Sequence, residues 1–560
     1  MGKPKRSAPQ AKNQQAKNKR ELVIPGSGKE VAYTVLLMTI ALFGGIRMRL
    51  LTMPLERDEG EYAYAGQLIL QHIVPYKLAY TMKLPGTAAM YAGIMAVFGQ
   101  TPAGIHAGLL LVNLGTILLV YLLGTRLSGR LTGVVAAASY GLLSTSFSVL
   151  GLAAHATHFV AFFAVAGVLV LLRAIDSGRF WHFFAAGLLL GMAFLMKQPG
   201  LAFGVFGLLY LLQNAWQQSD WRKPVAWKIL LAKSGCYVAG VALPFILTCI
   251  VLKATGDFKT FWFWVFTYAS QYTSEISFGF GVQMLFRNFG KVAAPAFGVW
   301  IIAAVGLAGL RWQGEGRQRA IFIAGLLGFS FLAVSPGLFF RDHYFILMLP
   351  AVSVLAGMGV QWGMERLAGG KSAALAAVPV LVFVAACGYA LAEQKEMLFE
   401  MDPAAACRLK YSSNPFTEAP VIAQYLAAHT APDEAVAVLG SEPEIYFYAK
   451  RHSATGFIYV YGLMERQKYA LEMQKQMMQE IESARPRYVV FAKSRLSWMP
   501  HEGSPEAAAM SAWIGKFLSD YELVASAERL GSRTEYRYDD DARAYKTQSQ
   551  NIVGVFKRKS

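Results

Sequence analysis

Residues 31–62 read VAYTVLLMTIALFGGIRMRLLTMPLERDEGEY and join an apolar run to a cluster of acidic side chains. A helix of about 20 apolar residues crosses a bilayer, since it rises about 1.5 Å per residue and the hydrocarbon core is about 30 Å thick. The apolar part, residues 31–51, ends in Arg47 and Arg49 and has no small-residue cleavage site of the kind that ends a signal peptide. It therefore predicts a retained membrane span.

Further apolar runs of similar length follow along the chain. The composition agrees with a membrane protein, because 55% of the residues are hydrophobic and only 16% are charged. Together with the first run they predict an all-α polytopic membrane domain of about eleven transmembrane helices. The further runs lie near 104–124, 131–150, 156–173, 181–198, 200–214, 229–252, 292–310, 320–337, 344–363 and 373–392.

The basic residues indicate the orientation of these spans. The formal net charge is +18, and the Lys and Arg side chains concentrate in residues 1–30 and in every second connection between apolar runs. Cytoplasmic loops accumulate Lys and Arg, so this pattern favours topology signals over a nucleic-acid interface. Residues 1–30 are predicted to be a disordered basic cytoplasmic tail. An odd number of spans then places the C-terminal end outside the cytoplasm.

The chain divides into a membrane domain at 31–392 and a C-terminal extracytoplasmic α/β domain at 393–560. The second part has mixed charges and its own apolar periodicity. Three of the four cysteines lie in apolar runs, so no disulfide framework is expected. Within 393–560 the pattern predicts helices near 418–429 and 506–519, and strands near 435–439, 488–492, 533–538 and 552–557.

Four carboxylates crowd the segment that follows the first span: Glu56, Asp58, Glu59 and Glu61. In a helix that starts here, Asp58 and Tyr62 share one face at i, i+4 spacing. A carboxylate at the membrane surface is suited to act as a general base or to bind a hard divalent cation. Acidic residues also favour the first turn of any helix, and the spacing alone does not separate these interpretations.

Three cations lie on the predicted outer side, against the topological charge rule: Lys83, Lys197 and Arg341, the last followed by His343 and Tyr344. Lysine binds phosphate as a point charge, and arginine binds it through two parallel hydrogen bonds. The alternative for a lysine at this depth is snorkelling to the interface. The cluster predicts a site for an anionic lipid phosphate.

Two further patterns remain open between a functional and a structural role. His155 and His158 begin the fourth span at i, i+3 spacing, which suits either a shared metal or two hydrogen-bonded packing groups. The run Phe261–Phe266, FWFWVF, suits an interfacial aromatic belt or a groove for an isoprenoid chain.

At these residues the chain resembles the polytopic glycosyltransferases of the C-type fold, specifically the bacterial protein-mannosyltransferase-like group that includes aminoarabinose and galacturonosyl transferases of lipid A. Four short motifs in the same order and on the same predicted side carry the resemblance, which covers about 31–392. They are Arg57–Tyr62 (RDEGEY), Lys83–Gly86 (KLPG), Gly191–Pro199 (GMAFLMKQP) and Arg341–Pro350 (RDHYFILMLP).

The resemblance implies an inverting glycosyltransferase, an enzyme of lipopolysaccharide or cell-envelope glycan biosynthesis. It would move a sugar from a polyprenyl-phosphate donor to a glycan, lipid A or protein acceptor on the outer face of the bacterial inner membrane. Asp58 matches the family's catalytic acidic position and Glu59 the second carboxylate. Lys83, Lys197 and the Arg341 to His343 region match positions that face the donor phosphate.

The remaining implied residues are accessory, and one position departs from the family. Leu84 stands where the family often has a second proline after the first lysine. The turn at Lys83 therefore differs in sequence from the usual pattern of the family. The accessory residues are Glu61, Tyr62, His155, His158 and Tyr344.

Neither a cofactor nor a nucleic-acid partner is predicted. The sequence shows no decisive ligand set, so no metal is assigned, and a divalent cation stays an open alternative because only some relatives use one. Two other functions compete with the enzyme. A flippase for lipid-linked sugars would place ionisable residues in mid-span, and a non-catalytic scaffold of envelope assembly would use the outer domain as its binding module.

Overall fold

The regular secondary structure of the membrane part of the computed structural model consists of helices, with no strand among its described residues. The structure describes residues 28–218, 224–272, 276–314, 316–368, 373–501 and 503–559, so most of the predicted basic tail lies outside the described residues. The helices are α1 (Gly28–Arg49), α2 (Arg57–Leu70), α3 (Gly86–Phe98), α4 (Pro102–Ser128), α5 (Arg130–Thr145), α6 (Ala156–Ser177), α7 (Phe180–Met196), α8 (Leu201–Gln218), α9 (Pro224–Ala254), α10 (Phe258–Trp262), α11 (Ala269–Tyr272), α12 (Phe278–Ala293), α13 (Phe297–Ala308), α14 (Gly316–Val334), α15 (Leu349–Ala368) and α16 (Ala373–Glu393).

Every apolar run predicted as a span lies on one or two of these helices. Among the described residues, eight helical segments are long and apolar enough to cross a membrane by length and composition. One of them, Phe278–Ala308, joins α12 to α13 and begins well before the predicted run at 292–310. The runs on α5, α7 and α8 are not among the eight, so the count of eleven spans stays a prediction.

Glycines bring α7 and α9 close together. A Cβ atom on Gly187 would lie 2.1 Å from the Tyr237 carbonyl oxygen, and one on Gly240 would lie 2.2 Å from the Phe184 carbonyl oxygen. Hydrocarbon solvates apolar side chains as well as another helix does, so close backbone contact across small residues supplies much of the packing energy in a membrane. These positions exclude any larger residue without a shift of the helices.

The C-terminal part folds as a mixed α/β domain around one five-stranded sheet. The strand order is β1-β2-β5-β3-β4, with β1 and β2 parallel and the other neighbours antiparallel. The strands are β1 (Ala437–Leu439), β2 (Tyr488–Ala492), β3 (Tyr521–Leu530), β4 (Arg533–Tyr538) and β5 (Ile552–Arg558). The helices are α17 (Pro403–Tyr411), α18 (Ala419–His429), α19 (Glu444–Ala449), α20 (Tyr461–Met464), α21 (Ala470–Ala484), α22 (Arg495–Trp498), α23 (Pro505–Leu518) and α24 (Asp539–Ala544).

The predicted elements of this domain are confirmed, and one strand was missed. The four predicted strands correspond to β1, β2, β4 and β5, and the two predicted helices to α18 and α23. The missed strand is β3, the longest of the five, which pairs with both β4 and β5. Its sequence, YELVASAERL, is rich in Ala, Leu, Glu and Arg, which favour helix, and pairing on both sides overrides that preference.

The two domains pack directly on each other along α2. A Cβ atom on Gly60 would lie 2.6 Å from the backbone nitrogen of Glu444, so α2 and α19 touch at this glycine. The Ser453 backbone N–H donates to the Tyr64 hydroxyl at 2.8 Å, and the Leu55 backbone N–H donates to the Tyr448 hydroxyl at 2.9 Å. One apolar core runs through both domains. The short helix α2 is therefore held between the membrane helices and the C-terminal domain, which is called the outer domain below after the side predicted for it.

Candidate active site

A cavity of about 350 Å³ lies between the outer domain and the ends of the membrane helices that meet it. Its membrane-side wall carries Asp58, Glu61, Lys83, Lys197 and Arg341. These residues come from α2, from the loop between α2 and α3, and from the segments that follow α7 and α14. Folding thus brings together four segments that are far apart in the sequence.

Asp58 lies at the centre of this charged group. The Lys83 ammonium contacts Asp58 Oδ1 at 2.8 Å and Glu61 Oε2 at 2.7 Å, and it lies 4.3 Å from the centre of the Tyr62 ring. Burial opposes the charge of Asp58, but the ammonium of Lys83, with smaller contributions from the neighbouring histidines, holds the pKa of this carboxyl well below its usual range. Asp58 is therefore a carboxylate at neutral pH.

The other two acidic residues of the motif have a structural role at the start of α2. The Glu59 backbone N–H donates to Glu56 Oε1 at 3.0 Å, and the Glu56 backbone N–H donates to Glu59 Oε2 at 3.2 Å. This reciprocal capping box satisfies two backbone donors that a helix N-terminus otherwise leaves unpaired. The acidic cluster thus separates into a capping pair, Glu56 with Glu59, and a cavity-lining pair, Asp58 with Glu61.

Glu59 does not line the cavity. Its side chain is fully buried, 2.9 Å from the His106 ring nitrogen Nε2, and it accepts the Ala154 backbone N–H at 2.6 Å. Burial opposes its ionisation, yet the partners His106 and Ala154 lower the pKa of its carboxyl. The Glu59 side chain lies on the buried face of α2, outside the cavity, and the catalytic role that the resemblance implies for it stays a prediction.

Four other predicted site residues lie near Asp58 or line the same cavity: His155, His343, Lys197 and Tyr344. The His155 and His343 rings stack in parallel with centroids 4.1 Å apart, and His155 Nδ1 lies 3.8 Å from Asp58 Oδ2. Lys197 lies 4.0 Å from the centre of the Tyr344 ring. Lys197, His343 and Tyr344 all line the cavity. The structure therefore brings together segments that the sequence could only place on the same side of the membrane.

His158 is separate from this group. It is buried on α6, does not line the cavity, and has no hydrogen-bond partner for either ring nitrogen among the described residues. The i, i+3 pair that suggested a shared metal is therefore not the arrangement in the fold. His155 instead faces Asp58 and His343, which come from other parts of the chain.

Asp58, His155 and His343 form a candidate set of metal ligands, although the sequence pattern led to no assigned metal. Among the described residues their ligand atoms lie within 4.8 Å of one another. Two imidazoles and a carboxylate suit zinc, which is tetrahedral and, with ligand bonds of about 2.1 Å, holds its ligand atoms about 3.4 Å apart. The three side chains would therefore have to close by up to about 1.4 Å to hold an ion. The ion pair between Lys83 and Asp58 would compete with it.

The outer-domain wall of the cavity was missed from the sequence. It is formed by the segment 457–465, with Phe457, Tyr459, Tyr461 and Glu465, and by Tyr80 beside it. No spacing rule links these residues to Asp58, which lies about 400 positions away in the chain. The only signal is a high density of tyrosines, which is common in folded domains without function.

Part of the cavity lining is apolar. It comprises Val265, Phe266, Met196, Pro199 and Pro336, and the first two belong to the aromatic run noted in the sequence. The Tyr80 ring stacks on the Trp264 ring at 5.3 Å with an angle of 16° between planes. The cavity therefore combines charged groups with apolar lining residues.

Arg57, the residue before Asp58, links the two walls. Its guanidinium donates to the Ser441 carbonyl oxygen at 2.5 Å and to Asn414 Oδ1 at 3.0 Å, and contacts Glu442 Oε1 at 3.3 Å. It also lies over the Tyr461 ring, 5.1 Å from its centre. These contacts with the outer domain thus restrain the first turn of α2, which contains Asp58.

Comparison with known proteins agrees with this architecture. Residues 82–239 match the family model of dolichyl-phosphate-mannose-protein mannosyltransferases. No curated protein matches the chain. The matched segment includes Lys83, His155 and Lys197 but ends before Arg341 and the outer domain.

Solved structures of two polytopic transferases resemble the whole chain. ArnT from Cupriavidus metallidurans, bound to undecaprenyl phosphate, superposes with a TM-score of 0.56 at 16% identity, over 94% of this chain and 97% of that one. The archaeal oligosaccharyltransferase AglB from Archaeoglobus fulgidus, in complex with an inhibitory peptide and a dolichol-phosphate, gives 0.54 at 12% identity, over 92% and 75%. At these identities the likeness establishes the fold. The C-type glycosyltransferase fold predicted from the motifs is confirmed.

Proposed function

We propose that this protein is an inverting glycosyltransferase that moves a sugar from a polyprenyl-phosphate donor to an envelope acceptor on the outer face of a bacterial inner membrane. One observation carries the proposal: an ionised carboxylate, Asp58, lies beside a cation, Lys83, in a cavity that apolar side chains also line. This arrangement accommodates a lipid phosphate together with a base. The matched family and the ArnT structure, which holds undecaprenyl phosphate, support the same donor class.

The chemistry follows from the charges. Asp58 accepts the proton of an acceptor hydroxyl, and the hydroxyl oxygen forms a bond to the anomeric carbon of the sugar. The bond from that carbon to the phosphate oxygen breaks, and its electron pair leaves with the phosphate. Lys83, Lys197 and Arg341 neutralise the charge that develops on this leaving group. A single displacement inverts the anomeric centre and requires no enzyme nucleophile.

A metal ion is compatible with this proposal but carries no step of it. Asp58, His155 and His343 would hold the ion, and its positive charge would add to that of Lys83 near the phosphate. Some solved AglB crystals contain zinc, which is a property of that protein. Each proton transfer above uses only side chains of this chain.

The location of the ionisable groups favours an enzyme over a flippase. A flippase needs ionisable residues in mid-span, where the two access states alternate around them. The charged residues that line the cavity all lie between or beyond the membrane helices. A scaffold would have no need of an ion pair between an ionised carboxylate and a lysine in a cavity of this size.

Sugar transfer by purified protein in lipid nanodiscs tests the proposal. The donors are a panel of undecaprenyl-phosphate sugars, and a membrane extract supplies the acceptors. We expect Asp58→Asn to lower transfer by about 1000-fold, because general-base catalysis contributes roughly 100- to 10,000-fold. Asp433→Asn, an exposed position of the outer domain, is the matched control and should transfer at the wild-type rate.

Two results would contradict the proposal. Equal transfer by wild type and Asp58→Asn would remove Asp58 from the mechanism. The second assay uses wild-type protein reconstituted in lipid vesicles. Movement of lipid-linked sugars across the vesicle bilayer, with no glycosylated product, would instead support the flippase. Circular dichroism and thermal unfolding of both variants establish that any loss is not a loss of fold.

A further inference from the structure

The outer-domain wall of the cavity is a corner of aromatic rings. The Tyr459 and Tyr461 rings stand nearly perpendicular, at 80°, with centroids 4.8 Å apart. Both residues line the cavity that contains Asp58. Phe457, two residues earlier, packs edge-on against Tyr80 at 5.0 Å. This wall therefore offers ring surfaces and a few polar atoms, where the opposite wall offers charges.

The rings of this corner are held rigidly. The Tyr461 hydroxyl donates to the Leu496 carbonyl oxygen, and Arg57 lies over the Tyr461 ring. The Val460 backbone N–H, between the two tyrosines, donates to Ser441 Oγ at 3.1 Å. A binding surface that is ordered before the ligand arrives loses little conformational entropy on binding.

The Tyr459 hydroxyl differs from that of Tyr461, because it has no hydrogen-bond partner among the described residues although the side chain is half-buried. Burial, with the neighbouring Tyr461 and Asp58, holds the pKa of Tyr459 well above its usual value, so the hydroxyl keeps its proton. A half-buried phenol usually finds a partner. A ligand in the cavity would supply one.

The position of the donor leaves this wall to the second substrate. The phosphate of a lipid-linked donor belongs beside Lys83, and its chain belongs against apolar lining residues such as Val265 and Phe266. Tyr459 and Tyr461 line the same cavity as Asp58 and belong to the outer domain.

The chemistry of the corner suits a sugar better than a peptide. A pyranose ring presents a face of C–H groups that packs on an aromatic ring and hydroxyls around its edge that need hydrogen-bond partners. An extended peptide needs backbone partners, such as the free edge of a strand. Of the described strands, the edge strands β1 and β4 do not line the cavity.

We propose that the segment 457–465 is the acceptor subsite, and that it binds a pyranose ring of a glycan-bearing acceptor against Tyr459 and Tyr461. The Tyr459 hydroxyl hydrogen-bonds the acceptor sugar and orients its attacking hydroxyl toward Asp58. Tyr459 is thus a positioning residue that takes no proton itself. This inference rests on the proposed function for the identity of the second substrate, whereas the binding of a sugar at the corner is independent of it.

Saturation-transfer NMR on the full chain in nanodiscs tests the binding directly, with sugar-based detergents excluded because they would compete. The probes are methyl pyranosides of glucose, galactose and mannose, and a serine-containing hexapeptide. We expect at least one pyranoside to bind through one ring face. Tyr459→Phe should weaken that binding by about 2- to 10-fold, which is the worth of one hydrogen bond, and Tyr459→Ala should weaken it further.

The controls separate this inference from the proposed function. Tyr425→Phe removes a half-buried tyrosine hydroxyl elsewhere in the outer domain and should bind the pyranosides like wild type. Asp58→Asn should also bind them, even if sugar transfer is lost. Absence of pyranoside binding to wild type, equal binding by Tyr459→Ala, or binding of the peptide alone would each overturn the inference.

Kinetic measurements on Tyr459→Phe show whether the corner of Tyr459 and Tyr461 binds the acceptor or the donor. With an active donor, Tyr459→Phe should raise the KM for the acceptor extract by about 2- to 10-fold and leave the slow hydrolysis of the donor by water unchanged. A parallel fall in hydrolysis would place Tyr459 on the donor and overturn the assignment. If wild type neither transfers nor hydrolyses, the proposed function fails, and the NMR result still decides whether the corner binds a sugar.

Discussion

The two walls of the cavity differ in their chemistry. The membrane-side wall is charged, with Asp58, Lys83 and Arg341, whereas the outer-domain wall is aromatic, with Tyr459 and Tyr461. Charges that stabilise a leaving phosphate act on the chemical step, while neutral rings contribute binding and orientation. Under the proposed function, the membrane-side wall acts on the chemical step and the outer-domain wall binds the acceptor. Substitutions in the first wall should then change the rate of the chemical step, and those in the second wall should change acceptor binding.

The largest effect that we predict in testing this division is at Lys83. Lys83→Gln removes the cation nearest to Asp58, and kcat/KM for the donor should fall by about 100- to 1000-fold, the usual cost of losing one charge-stabilising group. The affinity for a pyranoside should not change. Lys546→Gln, an exposed lysine of the outer domain, is the control for kinetics.

The same variant predicts a pH effect with a definite sign. Asp58 has a pKa well below its usual range because of the Lys83 ammonium, so in wild type the base stays ionised on the acid side of neutrality. Without the ammonium the pKa of Asp58 rises, and a larger fraction is protonated as the pH falls. The acid limb of the pH–rate profile should therefore move to higher pH in Lys83→Gln. An unchanged limb would contradict the assignment of Asp58 as the base.

Substitution of Arg57 tests whether the position of Asp58 depends on contacts with the outer domain. Arg57→Gln leaves Glu442 buried without its cation, and breaking a buried ion pair costs about 3–5 kcal/mol. We expect a lower unfolding temperature and a loss of transfer, since the turn before Asp58 loses its restraint. Arg126→Gln breaks an exposed pair with Asp176 and should cost less than about 1 kcal/mol.

A second substitution makes this result specific. Arg57→Gln combined with Glu442→Gln removes both charges and should recover part of the stability, because no uncompensated charge remains buried. Thermal unfolding of the single and double variants measures the recovery. No recovery in the double variant would show that Arg57 acts through its other contacts, to Ser441 and Asn414.

A smaller effect is expected at Glu59, within the membrane domain but outside the cavity. Glu59→Gln weakens the bonds to His106 and to the Ala154 backbone, at a cost of about 2 kcal/mol in stability. The kcat of the folded variant should stay within about fivefold of wild type, since only the position of α2 is affected. Complete loss of transfer by a well-folded Glu59→Gln protein would instead give this residue the chemical role that the family resemblance implies.

The smallest predicted effect concerns the contact between the Tyr80 loop and the outer domain. Glu480 on α21 accepts hydrogen bonds from the Tyr80 hydroxyl at 3.0 Å and the Thr455 hydroxyl at 2.5 Å. Glu480→Gln should cost about 1 kcal/mol and raise the acceptor KM a few-fold. Glu482→Gln on the same helix, whose partner is Trp513, should leave the KM unchanged. Equal KM changes in both variants would show a general effect on α21.

The acidic motif shows what the spacing of residues can predict and what it cannot. Its spacing is compatible with a helix start and with a catalytic group, and the fold divides the four carboxylates between a capping pair and a cavity-lining pair. Glu56 and Glu59 cap α2, and Asp58 and Glu61 point to the cavity. A period of 3.6 residues separates faces of a helix, but only the packing around α2 decides which face meets solvent and which meets His106.

The membrane helices, most strands of the C-terminal sheet and the charged residues of the cavity could be predicted from the amino-acid sequence. Local sequence patterns indicate these features: apolar runs of bilayer length, alternating apolar and polar residues in strands, and cations on the side where the topological charge rule does not expect them. Three features became visible only in the folded chain: β3 is a strand, Glu59 lies on the buried face of α2, and Tyr459 and Tyr461 line the same cavity as Asp58. The physical reason is that these outcomes depend on contacts between distant segments, whose energies exceed local preference and leave no spacing to read in the sequence.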